Sequence, residues 1–102
     1  MVGHVDGAVL RFECDEAKAA SNLRKHGVSF DAAYAVFDDN DRLEEDDLFS
    51  RGEYRMIAIG RAERLVITVV FAEPEENVVR LISARLATAN ERKAYEQNPL
   101  HP

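Results

Sequence analysis

Three apolar, strand-like segments joined by very short links constrain this chain more than any other feature. They are Glu53–Ile59, Leu65–Ala72 and Val78–Arg85, with breaks at Gly60 and at Glu73-Pro74-Glu75-Glu76-Asn77. Parallel neighbours need a crossover of a dozen or more residues, so such links predict an antiparallel meander. The middle segment, Leu65-Val-Ile-Thr-Val-Val-Phe71, is nearly continuous in apolar residues. That pattern predicts a central strand covered on both faces.

The covering elements are sought upstream and downstream. Ala8-Val-Leu-Arg-Phe-Glu13 alternates after Leu10 and reads as a first strand. Asp15 is placed to cap a helix over 16–26, on which Ala19, Leu23 and His26 share a face, and Gly27 suits its left-handed end. Ser29 caps a second helix, where Phe30, Ala33, Tyr34 and Phe37 form an apolar stripe. Thr88-Ala-Asn-Glu91 is a capping box opening a last helix over 89–97, with Pro99 beyond it as the stop. The expected fold is α+β, an antiparallel sheet with element order β-α-α-β-β-β-α, in one domain over residues 1–102.

The net charge of −6 at first argues against a nucleic-acid partner. Its distribution removes that objection. Residues 38–47 carry seven acids against Arg42, so the other 12 acids and 12 bases balance. The run is expected to be a solvated loop, or a docking surface for a basic partner. Its spacing fits a calcium loop poorly, since Leu43 and Glu44 stand where Asp or Asn and Gly are required. Cys14 is the only cysteine, which rules out an internal disulfide and a cysteine-based zinc site. The opening Met1–Asp6 stretch lacks a basic segment followed by an apolar block, and no apolar stretch is long enough to span a bilayer. The expectation is a cytoplasmic protein without a membrane anchor, cofactor or metal.

Four groups could carry chemistry. Arg24-Lys25-His26-Gly27 ends the first helix; its cations complement the helix dipole, while the His26 imidazole can act as acid or base. Arg55, Arg80 and Arg85 lie among apolar strand residues, where a guanidinium needs an acid or a phosphate. An ion pair with Glu53 or Glu91 is the structural alternative. Strict alternation puts Arg80 and Arg85 on opposite faces. Arg85, at its strand's end, is then the better placed for a site at the sheet edge, and Arg80 the more structural. Glu91, Arg92 and Tyr95 on the last helix form the third group, and the acidic run the fourth.

Together these residues resemble the BrnT family of bacterial type II toxins. The likeness rests on Phe12-Glu-Cys-Asp-Glu-Ala-Lys18, Asn22-Leu-Arg-Lys-His-Gly-Val-Ser-Phe30, Ala33 to Phe37, Arg55 to Gly60, and Arg80-Leu-Ile-Ser-Ala-Arg85 with Ala87, Glu91, Arg92 and Tyr95. The resemblance implies a RelE-like fold and a ribonuclease that arrests translation. It also implies an antitoxin of the BrnA type, a ribbon-helix-helix protein through which DNA is contacted only indirectly. One departure stands out: the family pattern has tryptophan after Phe-Glu, whereas this chain has Cys14 and no tryptophan at all.

On this reading RNA is cut without a metal, by attack of a ribose 2′-hydroxyl on the adjacent phosphodiester. Arg55, Arg80 and Arg85 would hold phosphate, with His26 as acid or base and Glu91 and Tyr95 in supporting roles. Lys25 and Arg92 would contact the RNA backbone. Two rivals are a catalytically inactive module that only holds its antitoxin or another basic partner, and a metal nuclease using the Asp38–Asp47 carboxylates.

Overall fold

The computed structural model describes residues 2–5, 8–48 and 52–97. In chain order the elements are β1 (Val2–Val5), β2 (Ala8–Glu13), α1 (Glu16–His26), α2 (Phe30–Val36), β3 (Leu43–Asp46), β4 (Met56–Ala62), β5 (Leu65–Glu75), β6 (Val78–Leu86) and α3 (Ala89–Glu96). The strands form one mixed sheet in the order β1-β2-β6-β5-β4-β3. The α+β class and the β4-β5-β6 meander agree with the sequence. The element order does not: β1 and β3 are additional, and β2 joins β6 in parallel through Val78–Arg80. The two helices and three strands between β2 and β6 supply the long connection that a parallel pair needs.

The helix ends follow the sequence. Asp15 Oδ1 accepts from Ala17 N at 2.8 Å, and Gly27 closes α1 with φ 69° and its N–H on the Leu23 carbonyl. Ser29 caps α2, and Thr88 and Glu91 complete the capping box of α3. Pro99 lies outside the described residues. Gly60 does not break a strand; it sits inside β4, and the turn falls at Glu63, which takes φ 56°. Glycine is required at 60 for another reason: a Cβ there would lie 2.8 Å from Val36 Cγ1, because α2 packs directly on the strand.

The two sheet faces are covered unequally. Helices α1 and α2 close one face over a core that includes Phe12, Phe30, Phe37, Ile67, Val69, Phe71 and Leu81. On the other face, Tyr95 of the short helix α3 packs with Ile59 and Val66 of the sheet in a small second cluster. Strand β5 therefore has buried residues on both faces, as its apolar run predicts.

Asn22 is the buried residue of α1, while Leu23, expected on the helix's shared face, is half exposed. Beyond Arg80, no strand among the described residues lies on the outer edge of β6, and the Asn22 amide takes up backbone groups there. Its Nδ2 donates to the Ala84 and Val28 carbonyls at 2.8 and 2.9 Å, and its Oδ1 accepts from Ala84 N at 3.0 Å. Asn22→Ala leaves these buried backbone groups unpaired and is expected to cost about 2 kcal/mol, read as a lower urea midpoint with an unchanged slope.

The acidic segment is not simply a loop. Leu43–Asp46 forms the edge strand β3, with Leu43 packed on the second cluster and the three acids exposed. Charged side chains on an edge strand discourage pairing with other chains. Asp39 turns inward: its Oδ2 accepts from Arg61 N at 2.9 Å and from the Tyr95 hydroxyl, and its Oδ1 from Asp41 N.

Candidate active site

The face under α3 can be read row by row from the strand register. One row places Ile59, Thr68 and Arg85 side by side on β4, β5 and β6; the next places Ile57, Val70 and Ser83. Beyond these, Ala72 lies opposite Arg80, and Arg55, directly before Met56, continues the same alternation. The Asp47 N–H on the Arg55 carbonyl, at 3.0 Å, extends the ladder to that residue.

Arg80 and Arg85 consequently share a face, contrary to strict alternation. The register slips between Val70 opposite Ser83 and Phe71 opposite Leu81, which inserts one extra residue in β6 near Ile82. Such a bulge reverses the facing of everything beyond it. All three strand arginines thus lie on the side of the sheet that α3 covers only in part. The floor between them, Ile57, Val70 and Ser83, is half-buried, whereas Ile59 and Thr68 beneath α3 are fully buried.

The three guanidiniums differ in how firmly they are held. Arg85 forms a fork with Glu91, Nη1 to Oε1 at 2.6 Å and Nη2 to Oε2 at 3.0 Å. Glu91 also accepts from Thr88 N at 2.8 Å and from Thr68 Oγ1 at 3.0 Å. The Arg85 hydrogen bond, with those of Thr88 and Thr68, holds the Glu91 carboxyl down at about 2 against the opposing effect of burial. Arg80 pairs with Glu53 at 2.7 Å and Glu13 at 3.5 Å, but this cluster is open to solvent, with Arg80 40% and Glu53 41% exposed. Exposed pairs of this kind are worth little, about 1 kcal/mol or less, and a phosphate can replace the carboxylate. Arg55 is half-buried, and among the described residues no carboxylate lies within ion-pairing distance of it. Its Nε is buried without a hydrogen-bond partner.

The remaining candidates are spread around this strip. His26 and Lys25 are exposed at the end of α1 and share a shallow groove with Lys18, Ser21, Ile82 and Ser83, at the free edge of β6. Ser83 therefore borders both the groove and the arginine face. Tyr95 is the buried residue of α3; burial and its bond to Asp39 push its hydroxyl up to about 12, although Arg61 opposes this. Arg92 is exposed on α3, away from the open half of the face. Cys14, at the position of the expected tryptophan, is exposed beside Glu13 and Arg80, and its Sγ accepts from the Tyr34 hydroxyl at 3.2 Å. Sequence reasoning missed Asn22, Asp39 and Thr68. Thr68 had left a signal, since a hydroxyl in a buried apolar strand requires a partner. Among the described residues, no three acids, histidines or cysteines converge to hold a metal ion, and no helix is long and apolar enough to cross a membrane.

Guanidiniums on a half-covered sheet face are chemically able to meet an anion, a carboxylate as in the Arg80 and Arg85 pairs or a phosphate. Residues 14–91 match the family described as ribonuclease toxin, BrnT, of type II toxin-antitoxin system. The chain belongs to that family of ribonuclease toxins, whose type II systems imply a protein antitoxin as partner. A solved relative is the Brucella abortus ribonuclease toxin BrnT, determined at 1.1 Å. It is 26% identical, with a TM-score of 0.59 over 78% of this chain and 97% of that one. Comparison with curated proteins gave no match.

Proposed function

We propose that this chain cleaves RNA on the open half of the α3 face, and that Arg55 and Arg80 bind the reacting phosphodiester. The observation that carries the reading is the Arg55 guanidinium, which has no ion pair among the described residues and a buried Nε without a hydrogen-bond partner, beside an exposed, exchangeable Arg80 pair. The ribose 2′-oxygen forms a bond to phosphorus, and the bond from phosphorus to the 5′-oxygen breaks. A base takes the 2′-hydroxyl proton, and an acid returns one to the leaving 5′-oxygen. The products are a 2′,3′-cyclic phosphate and a 5′-hydroxyl. Arginine suits the charge that builds on phosphate, because its fork matches two oxygens and stays protonated. No metal is needed where guanidiniums supply that charge.

His26 is the proposed acid or base, acting from the groove it shares with Ser83 at the β6 edge, with Lys25 beside it on the RNA backbone. Arg85 and Glu91 hold β6 and α3 in place around the site, and Tyr95 anchors α3 through Asp39. Arg92 is a backbone contact further along. The fold is read as RelE-like, the consequence of cleavage as arrested translation in the cytoplasm, and the antitoxin as a BrnA-type ribbon-helix-helix protein. A basic antitoxin segment against the β3 acids would complement their charge.

The second reading, a module that only holds its partner, draws support from the carboxylates on Arg80 and Arg85 and from Cys14 in place of the ring. The test uses single-stranded RNA in excess chelator. Cleavage that yields cyclic phosphate ends, and that stops when the 2′-hydroxyl at the cut site is removed, is the expected result. Cleavage that requires a divalent ion points to the metal nuclease, and no cleavage under any condition points to the holding module.

A further inference from the structure

The same sheet face carries a second cationic feature at its far end. Arg61 at the end of β4, Arg64 in the β4–β5 turn and Arg92 on α3 converge on one cleft. Leu65 and Leu86 also line it, 52% and 53% exposed, and Glu96 is the acid among its lining residues. Three arginines around one cleft oppose the acidity of a chain whose net charge is −6. They are also differently employed from Arg80 and Arg85. The Arg61 guanidinium lies over the Tyr95 ring, 5.7 Å from its centroid. Among the described residues, neither Arg64 nor Arg92 has a carboxylate within ion-pairing distance.

The cleft's volume, about 260 Å³, is below the roughly 300–1,000 Å³ of pockets that enclose a small molecule. A cleft of this size suits part of a chain that passes over it. Guanidiniums around exposed leucines offer charge to phosphates and an apolar surface to a ribose or base. Arg61 stands six residues along β4 from Arg55, a span of roughly 20 Å, which several nucleotides can bridge.

We infer that the cleft between the β4–β5 turn and α3 is a second phosphate subsite, which grips the RNA backbone several nucleotides from the cleaved bond. The inference rests on the reading of the chain as an RNA-cleaving toxin, but its test needs no cleavage. A short single-stranded oligonucleotide carrying 2′-O-methyl groups throughout cannot be cut by 2′-hydroxyl attack, and its binding is followed by fluorescence anisotropy. In the Arg64→Ala, Arg92→Ala double variant, affinity is expected to fall about tenfold or more, and the slope of log affinity against log salt to become shallower by about one to two. A wild type that binds no oligonucleotide overturns the inference, as does a double variant that binds with wild-type affinity and salt slope. It is also overturned if the variant loses only its antitoxin. Wild-type protein that binds through these arginines yet cuts no RNA would refute the cleavage reading and leave the subsite standing.

Discussion

Arg55→Ala is expected to slow RNA cleavage on the order of a hundredfold, about 3 kcal/mol of transition-state stabilisation, while the melting temperature stays within a few degrees of wild type. The two halves of this expectation have separate causes. Arg55 has no ion pair among the described residues, and its Nε is buried without a partner. Removing a buried donor that lacks a partner relieves a desolvation cost, so the fold has little to lose. A phosphate in the transition state has much to lose, because in a partly water-excluded site a fixed guanidinium acts on developing charge without reorganisation. Arg55→Lys should recover only part of the rate, since an ammonium cannot present a fork to two oxygens. Single-turnover cleavage measured beside a thermal melt checks both halves. A variant that unfolds, or one that cleaves at the wild-type rate, removes Arg55 from the site.

Glu91→Ala should have the opposite profile, with a loss of stability of about 3 kcal/mol near neutral pH. The carboxylate is only 21% exposed, takes both prongs of Arg85, satisfies the Thr88 N–H and accepts from buried Thr68. Its removal strands a half-buried guanidinium and a buried hydroxyl, and unties the first turn of α3. The pH dependence follows from the sign of the shift. Glu91 ionises at about 2 in the folded protein against an ordinary 4.5. Its contribution is therefore complete above about 4.5 and is lost as pH falls through about 2. Urea unfolding at a series of pH values should show a wide gap between wild type and variant at pH 7 that narrows below 4.5. A gap that stays constant down to pH 2 would assign the loss to packing instead of charge.

Much of the fold could be read from the sequence because its signals are local. Asp15, Gly27, Ser29 and the Thr88–Glu91 box set helix ends within a turn of chain, and the apolar run of β5 states its own burial. What escaped depends on contacts distant in sequence. The parallel union of β2 with β6 leaves no mark in either strand. Strand β3 was hidden by its acids, since an edge strand exposes most of its side chains and reads as a solvated loop. Gly60 was read as a break because its real constraint, the approach of Val36, lies 24 residues away in the chain.

The site was half legible for the same reason. The arginines and their possible partners Glu53 and Glu91 could be named from the sequence, and both pairs are present. Their geometry could not, because one extra residue near Ile82 reverses the facing of Arg80 relative to Arg85. Arg85 is locked to a partly buried carboxylate, while Arg80 sits in an exposed pair that a substrate can replace. The sequence could not place Arg55 either; that it has no ion pair among the described residues follows only from the positions of the neighbouring side chains.

The most direct test of the arginine face is the cleavage rate of the Arg55→Ala, Arg80→Ala double variant on single-stranded RNA in excess chelator, with circular dichroism and a thermal melt on the same sample. The arrangement predicts a folded protein that cleaves at least a thousandfold more slowly than wild type, about 4 kcal/mol or more in the barrier. A folded double variant that cleaves at the wild-type rate would contradict it and move the chemistry off this face.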